Sequence, residues 1–288
     1  MVFAITSSLG LGLAMVLSRY AYEGGANGLA VGTARAIFFV PAVFTFCVLT
    51  GRNLRLPIAD WLQCAGLGFF MAMGFYGHVG AIEYIPVGLA AILFFTFPPI
   101  VALLNALVAK EPPGAAKTLA LVVAFGGIVL MLGVSFESAD PRGIALALGA
   151  GVCIAWNTFW TARRVPHVDG AVAVFHMGVV AFLVLVTISV WSGKALLPHT
   201  NGGWAGLTVV AILQTMSLPV FYLALPRIGS LKASMLGNVQ PVFSIALAFV
   251  LLGELLTLAQ FFGGAMVLVG IWLMQRADGR ATKTGRNR

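Results

Sequence analysis

Residues 90–111 read AAILFFTFPPIVALLNALVAKE, and residues 233–254 read ASMLGNVQPVFSIALAFVLLGE. Laid together without a gap, the two segments match at Ala90 and Ala233, at Pro98 and Pro241, and at Glu111 and Glu254. The register of 143 residues, the separation of Pro98 from Pro241, extends outward in both directions. Trp61 falls on Trp204, Ala81 on Ala224, Ile85 on Ile228, and Gly127-Ile128 on Gly270-Ile271. Leu93, Leu104, Leu130 and Met131 match too, but so apolar a composition supplies such pairs freely. The rare types carry the argument: a Trp, a mid-segment Pro and a Glu in one register. A gapless repeat in a membrane chain predicts two copies of a bundle facing each other across a pseudo-two-fold axis. Transporters are built this way, with the substrate site at the repeat interface.

Composition places the chain in the bilayer. Of its 288 residues 60% are hydrophobic and 9% charged, and the mean hydropathy is +1.00. A soluble domain carries about a quarter charged residues. The charges divide the chain into ten long uncharged runs: 1–18, 36–51, 61–82, 84–109, 118–136, 143–162, 170–193, 195–226, 233–253 and 255–275. Each can hold the helix of roughly 17–25 residues that crosses the hydrocarbon once flanking residues are included. In the longest run, Pro198-His199-Thr200-Asn201-Gly202-Gly203 reads as a loop, so a helix is predicted to start near Trp204. The predicted fold is all-α and integral to the membrane, with ten transmembrane helices arranged as two inverted five-helix repeats around a central cavity. Barrel strands would alternate apolar and polar residues, whereas these runs are apolar throughout. The opening run has no basic n-region and no small-x-small cleavage site, so it reads as the first helix rather than a signal peptide.

Lys and Arg set the expected orientation. With the N-terminus inside, the inner loops hold Arg52, Arg55, Lys110, Lys117, Arg163, Arg164, Arg227 and Lys232, and the tail adds Arg276, Arg280, Lys283, Arg286 and Arg288. The outer side holds only Arg19, Arg35, Arg142 and Lys194. This bias places both termini in the cytoplasm of an inner (plasma) membrane protein. It also accounts for the net charge of +8 without a nucleic-acid partner, and the basic tail is expected at anionic headgroups. Three units follow: residues 1–137 as the first repeat, 138–276 as the second, inverted repeat, and 277–288 as a basic cytoplasmic tail. Cys47, Cys64 and Cys153 show no metal-ligand spacing, and their odd number argues against a disulfide framework. No metal and no cofactor is expected.

The ends of the two copies resemble a known family. Gly253-Glu254 after Pro241-Val242, then Gly263-Gly264 and Gly270, are similar to the repeat ends of EamA-type proteins in the drug/metabolite transporter superfamily. The first copy keeps Pro98-Pro99, Glu111 and Gly126-Gly127, and Arg35 and Arg163-Arg164 after Ala155-Trp156 also fit. Two positions depart from the pattern. Gly10-Leu11-Gly12-Leu13 stands where a Trp is often found, and Lys110 replaces the usual Gly before the first Glu. The resemblance implies an inner-membrane carrier that exports or exchanges small organic solutes. It also implies a ten-helix basket whose third, fourth, eighth and ninth helices line the cavity.

Several side chains stand out against the apolar background. Tyr76 and His78 lie in the third helix, and an imidazole in a membrane interior needs water, a partner or a substrate. The structural alternative is a bond to a neighbouring helix. Trp156 and Trp160 share a face of the sixth helix with Asn157 beside them. Trp160, close to Arg163, reads as an interfacial anchor, while Trp156 and Asn157 read as cavity lining or helix packing. In the ninth helix, Pro241 frees the Gly237 carbonyl, which points Asn238 and Gln240 toward a cavity. Gln214 with Pro219 repeats this signature in the eighth helix, as do Thr96, Pro98 and Asn105 in the fourth. Pro98, Pro219 and Pro241 are expected hinges, with simple kinking as the plain alternative. Phe94, Phe95 and Phe97 read as lipid-facing or gate residues. Arg35 is expected to pair with Glu23 or Glu83, to reach water, or to hold a substrate carboxylate. Lys232 reads as interfacial, and Glu111 and Glu254 as helix caps. Trp156, Asn157, His78 and Gln240 are expected to meet in one cavity.

The function expected from these residues is secondary transport of a small organic metabolite such as an amino acid, by alternating access. No Walker-type loop is present, so the chain does not itself hydrolyse ATP. A drug, nucleotide or sugar-phosphate exchanger is the alternative within the same superfamily. A membrane-embedded enzyme would need clustered acids or His at metal spacing, and the sequence has none; a non-catalytic assembly factor is a third class. The expected partners are a small-molecule substrate and the lipid bilayer, with the chain a monomer or homodimer.

Overall fold

The computed structural model describes residues 2–82, 84–133, 140–252 and 255–286. Among them, twelve helices make ten segments long and apolar enough to cross a bilayer. These are α1 (Val2–Glu23), α2 (Gly28–Leu49), α3 (Ile58–Ala81), α4 (Val87–Phe94), α5 (Phe97–Leu107), α6 (Ala115–Leu132), α7 (Pro141–Arg164), α8 (Gly170–Ser192), α9 (Asn201–Ile228), α10 (Ser230–Gly237), α11 (Val239–Leu252) and α12 (Leu258–Arg286). The fourth and ninth spans are each broken in two, as α4–α5 and α10–α11. Helices dominate because, in hydrocarbon, only a helix satisfies the backbone polar groups of an uncharged segment from within.

Short polar residues set several helix starts. Asn27 Oδ1 accepts from the Ala30 amide at 3.0 Å, Asp140 Oδ1 from Arg142 at 2.8 Å and Asp169 Oδ1 from Ala171 at 2.9 Å. Thr200 Oγ1 accepts from Gly203 at 3.0 Å, which starts α9 at Asn201 rather than at Trp204. At the far end α12 continues to Arg286, so the basic segment after 276 prolongs a helix. The expected repeat boundary at 137/138, and the residues Glu83 and Glu254, lie outside the described residues.

The repeat is visible in the packing. Where α6 crosses α12, Gly127 faces Gly263 and Val267, and Gly270 faces Ala120 and Ala124. The two sets exchange under the 143-residue register, since Gly127 corresponds to Gly270, and Ala120 and Ala124 to Gly263 and Val267. The backbones are close enough that a methyl on Gly127 would stand 2.6 Å from the Gly263 carbonyl oxygen, and one on Gly263 2.6 Å from that of Gly127. The same exchange relates the packing of α1 on α9 to that of α7 on α3. Leaving lipid for protein gains an apolar side chain little, so such bundles depend on close approach through small residues.

Just beyond α5, Lys110 has φ +57, the one positive value among the described non-glycine residues. An L-residue in this region is disfavoured by about 1–2 kcal/mol. This is the position where the family resemblance expects Gly, and the backbone shows why. Lys110→Gly is therefore expected to raise the Tm of the detergent-solubilised protein, by the equivalent of about 1 kcal/mol. Gly127→Val is expected to lower it by about 1–3 kcal/mol through overpacking of the seam. Gly126→Ala is the control: its new methyl meets only Met266 Cε, at 3.6 Å, and should leave the Tm near wild type.

Candidate substrate pathway

Each broken span carries a proline just past its break. Pro98 lies in the first turn of α5, and Pro241 in the first turn of α11. Phe95 and Asn238, at the two breaks, share one register position. Proline offers no N–H, so the Phe94 and Gly237 carbonyls four residues earlier lose their helical donors. Thr96 Oγ1 donates to the Leu93 carbonyl at 2.6 Å, and Ser8 Oγ of α1 lies 3.0 Å from that of Leu236. On α7, a Cβ at Gly151 would stand 3.1 Å from the Phe94 oxygen and 3.3 Å from the Leu93 oxygen. Ser8 and Gly151 correspond in register, as do Leu93 and Leu236. Each half thus covers the break in the other half. Pro219 differs, because it sits with Pro226 inside the continuous helix α9.

An aromatic wedge joins the two breaks. The Phe94 ring centroid is 4.2 Å from that of His78 and 5.8 Å from that of Phe97. Phe95 and Phe97 are buried, and a Cβ on Gly237 would stand 3.2 Å from Phe97 Cζ. The lipid-facing reading of Phe95 and Phe97 is therefore wrong: they fill the middle of the bundle, where the family resemblance places a cavity.

Two spaces flank this wedge. The larger, about 430 Å³, is lined by Asn105, Glu111, Lys117, Arg163, Ser230 and Lys232 among others. Asn105 follows Phe97 by about two turns of α5, and its Nδ2 donates to Ser230 Oγ at 3.2 Å. The smaller, about 40 Å³, lies between α2, α3, α8 and α9 and is lined by Arg35, Phe39, Met71, Phe75, His78 and Gln214 among others. A water needs about 10–15 Å³ by this measure, so the space admits a few atoms and not a whole amino acid.

The expected site residues separate in the structure. Arg35, His78 and Gln214 meet in the smaller space. Tyr76, Trp156, Asn157, Asn238 and Gln240 line neither space, so the expected meeting of Trp156, Asn157, His78 and Gln240 in one cavity is not found. Asn157 is consumed as a strut: its Nδ2 donates to the Leu67 carbonyl at 2.8 Å, and its Oδ1 accepts from Tyr222 Oη at 2.6 Å. Trp156 packs at a tilt against Phe70 and Trp160, and Tyr76 packs against the apolar core between α3, α8 and α9. Asn238 is buried at the second break, and the Gln240 carbonyl faces Gly12 of α1. Trp160 lies under the Arg164 guanidinium at 4.6 Å, so its cation partner belongs to the chain itself. Tyr222 was invisible to sequence reasoning, since its partner lies on a distant helix and nothing near it in the chain marks the bond.

Ion pairs correct two further expectations. Glu23 accepts from Arg19 at 2.6 Å and is not engaged by Arg35. Glu111 does not cap α6, whose N-cap is Gly114; it accepts from Arg163 Nη2 at 2.7 Å, across the two halves and at the wall of the larger space. The Arg35 Nε and the His78 Nδ1 are buried without a hydrogen-bond partner among the described residues.

Ten helices long and apolar enough to cross a bilayer, a repeated break and two spaces separated by a wedge make the architecture of a multi-pass membrane carrier. Both halves match the EamA-like transporter family, over residues 1–133 and 141–276, and the chain belongs to that family. It is thus a transporter of the drug/metabolite superfamily and not an enzyme. Among curated relatives, the threonine/homoserine exporter RhtA of Salmonella typhimurium (strain LT2) is 28% identical over 234 residues, covering 80% of this chain and 73% of that one. RhtA of Escherichia coli (strain K12) is 27% identical, covering 83% of this chain and 77% of its own. An uncharacterized transporter of Archaeoglobus fulgidus is 25% identical, with 88% of each chain covered. A solved crystal structure shares the fold with a TM-score of 0.80 at 16% identity, covering 95% of this chain and 96% of the other.

The strut yields a prediction. Tyr222→Phe strands the Asn157 Oδ1 and is expected to destabilise the protein by about 1 kcal/mol. Thermal unfolding in detergent reads this loss, which should disappear when Asn157→Leu is already present.

Proposed function

We propose that the protein exports small zwitterionic amino acids of the threonine and homoserine kind across the inner membrane. In this reading the halves, 1–137 and 138–276, rock against each other in alternating access, with both termini cytoplasmic. The observation that carries the mechanism is the pair of matched breaks, each covered by the opposite half and joined by the aromatic wedge. The breaks put flexible backbone at the middle of the bundle, where irregular structure is tolerated only against protein or a water-lined cavity. Pro98 and Pro241 serve as bending points there, while Pro219 kinks α9 without interrupting it. The larger space opens at the end carrying Arg163, Lys117 and Lys232, which the charge bias assigns to the cytoplasm. The conformation then faces inward, with Phe94 and Phe97 closing the route outward.

The substrate class draws support from two directions. The RhtA relatives are named threonine/homoserine exporters. The described polar groups facing the smaller space are an amide, an imidazole and a guanidinium, a set suited to a carboxylate-bearing zwitterion and unsuited to a bare cation. Asn157, with Tyr222, holds α3, α7 and α9 together behind that space rather than binding the solute.

Counterflow in proteoliposomes tests this reading. Vesicles loaded with unlabelled threonine are expected to accumulate trace labelled threonine at matched pH. Absence of counterflow for threonine, homoserine and every other amino acid would defeat the assignment. Phe97→Ala removes part of the wedge and is expected to raise labelled uptake several-fold in vesicles with no internal amino acid.

A further inference from the structure

We infer that Arg35, His78 and Gln214 form a carboxylate-recognition site in which the substrate supplies the counter-ion that no described residue gives Arg35. This rests on the amino-acid carrier reading and adds which atoms hold which end of the substrate. Arg35 projects from α2 about two turns inside its start at Gly28. The space it lines is otherwise walled by Phe39, Met71 and Phe75 among others, and none of its described lining residues is an acid. The one described carboxylate expected to serve it, Glu23, is taken by Arg19. A cation held among apolar walls without a counter-ion is strongly disfavoured.

Two unmet polar groups and the Gln214 amide converge there from three spans. Arg35 Nε and His78 Nδ1 are closed off from solvent and have no partner among the described residues. Gln214 is 6% exposed and lines the same space from α9. A carboxylate answers all three at once. Its two oxygens match the guanidinium fork, and the Gln214 amide and a protonated His78 Nδ1 each have an N–H to donate. The volume of about 40 Å³ suits a carboxylate head, with the rest of the substrate pointing out of it. Arg35 and His78 come from the first half and Gln214 from the second, so the bound carboxylate ties the halves together.

The test uses purified full-length protein in detergent and reads Tm against ligand concentration. Threonine is expected to stabilise the wild type, and threonine methyl ester, which keeps the ammonium and side chain, is not. Arg35→Gln should require at least about tenfold more threonine for the same shift, and Arg35→Lys should fall between. Without ligand, Arg35→Gln should melt no lower than wild type, because it removes a charge that no described residue compensates. Equal stabilisation by acid and ester, or an unchanged threonine requirement in Arg35→Gln, overturns the site. Stabilisation by chloride or sulfate that blocks the threonine effect also overturns it, in favour of an inorganic anion. If threonine fails here and in counterflow while lactate or succinate stabilises wild type but not Arg35→Gln, the amino-acid reading falls and the carboxylate site stands.

Discussion

Everything in this structure follows from the absence of water in the hydrocarbon, which leaves the backbone to satisfy its own hydrogen bonds. Eight of the ten spans answer with unbroken helices. The other two are broken at positions related by the repeat, and there the chain must find other arrangements for the carbonyls that Pro98 and Pro241 release. Around those positions the two halves cover each other. Ser8 approaches one break and Gly151 the other, one with a hydroxyl and one by letting the backbone come close. A break that depends on the opposite half for cover also senses where that half stands. In the proposed alternating access, this connects irregular backbone to the motion of the halves.

Electrostatics follow the same division. Charges near the ends of the bundle find partners: Arg52 with Asp169, Arg163 with Glu111, and Arg19 with Glu23. The Glu111–Arg163 pair joins the two halves beside the larger space. Such an exposed pair adds little stability, so its consequence is positional: it holds the end of α5 against α7 while that side is arranged as seen. Arg35 is the exception, a charge two turns inside a span with no described acid beside it.

The fold was legible because its determinants are periodic and compositional. Ten uncharged runs and one register of Trp, Pro and Glu sufficed to expect ten spans and two halves. The prolines also marked the breaks, though not that Pro219 would leave its helix whole. The site was legible in part. His78, Gln214 and Arg35 are costly residue types in a bilayer, and the structure brings these three together. Asn157 carried the same signal and is spent on Tyr222, because sequence shows that a polar group needs a partner but not which one it finds. The phenylalanines stayed open between lipid-facing and gate for the opposite reason. In a lipid environment an apolar ring gives no sign of facing in or out, and only the close approach at Gly237 reveals Phe97 as part of a wedge.

The crossing of α6 and α12 has a consequence for how the molecule is made. Gly127 meets Gly263 and Val267 while Gly270 meets Ala120 and Ala124, so the seam is an isologous contact enclosed in one chain. Each half carries one copy of a surface that is its own complement. Two fragments, cut in the connection between them and synthesised separately, would each hold the recognition surface for the other. What they would need in addition is insertion in opposite senses, so that assembly of this carrier is decided as much at the translocon as in the seam.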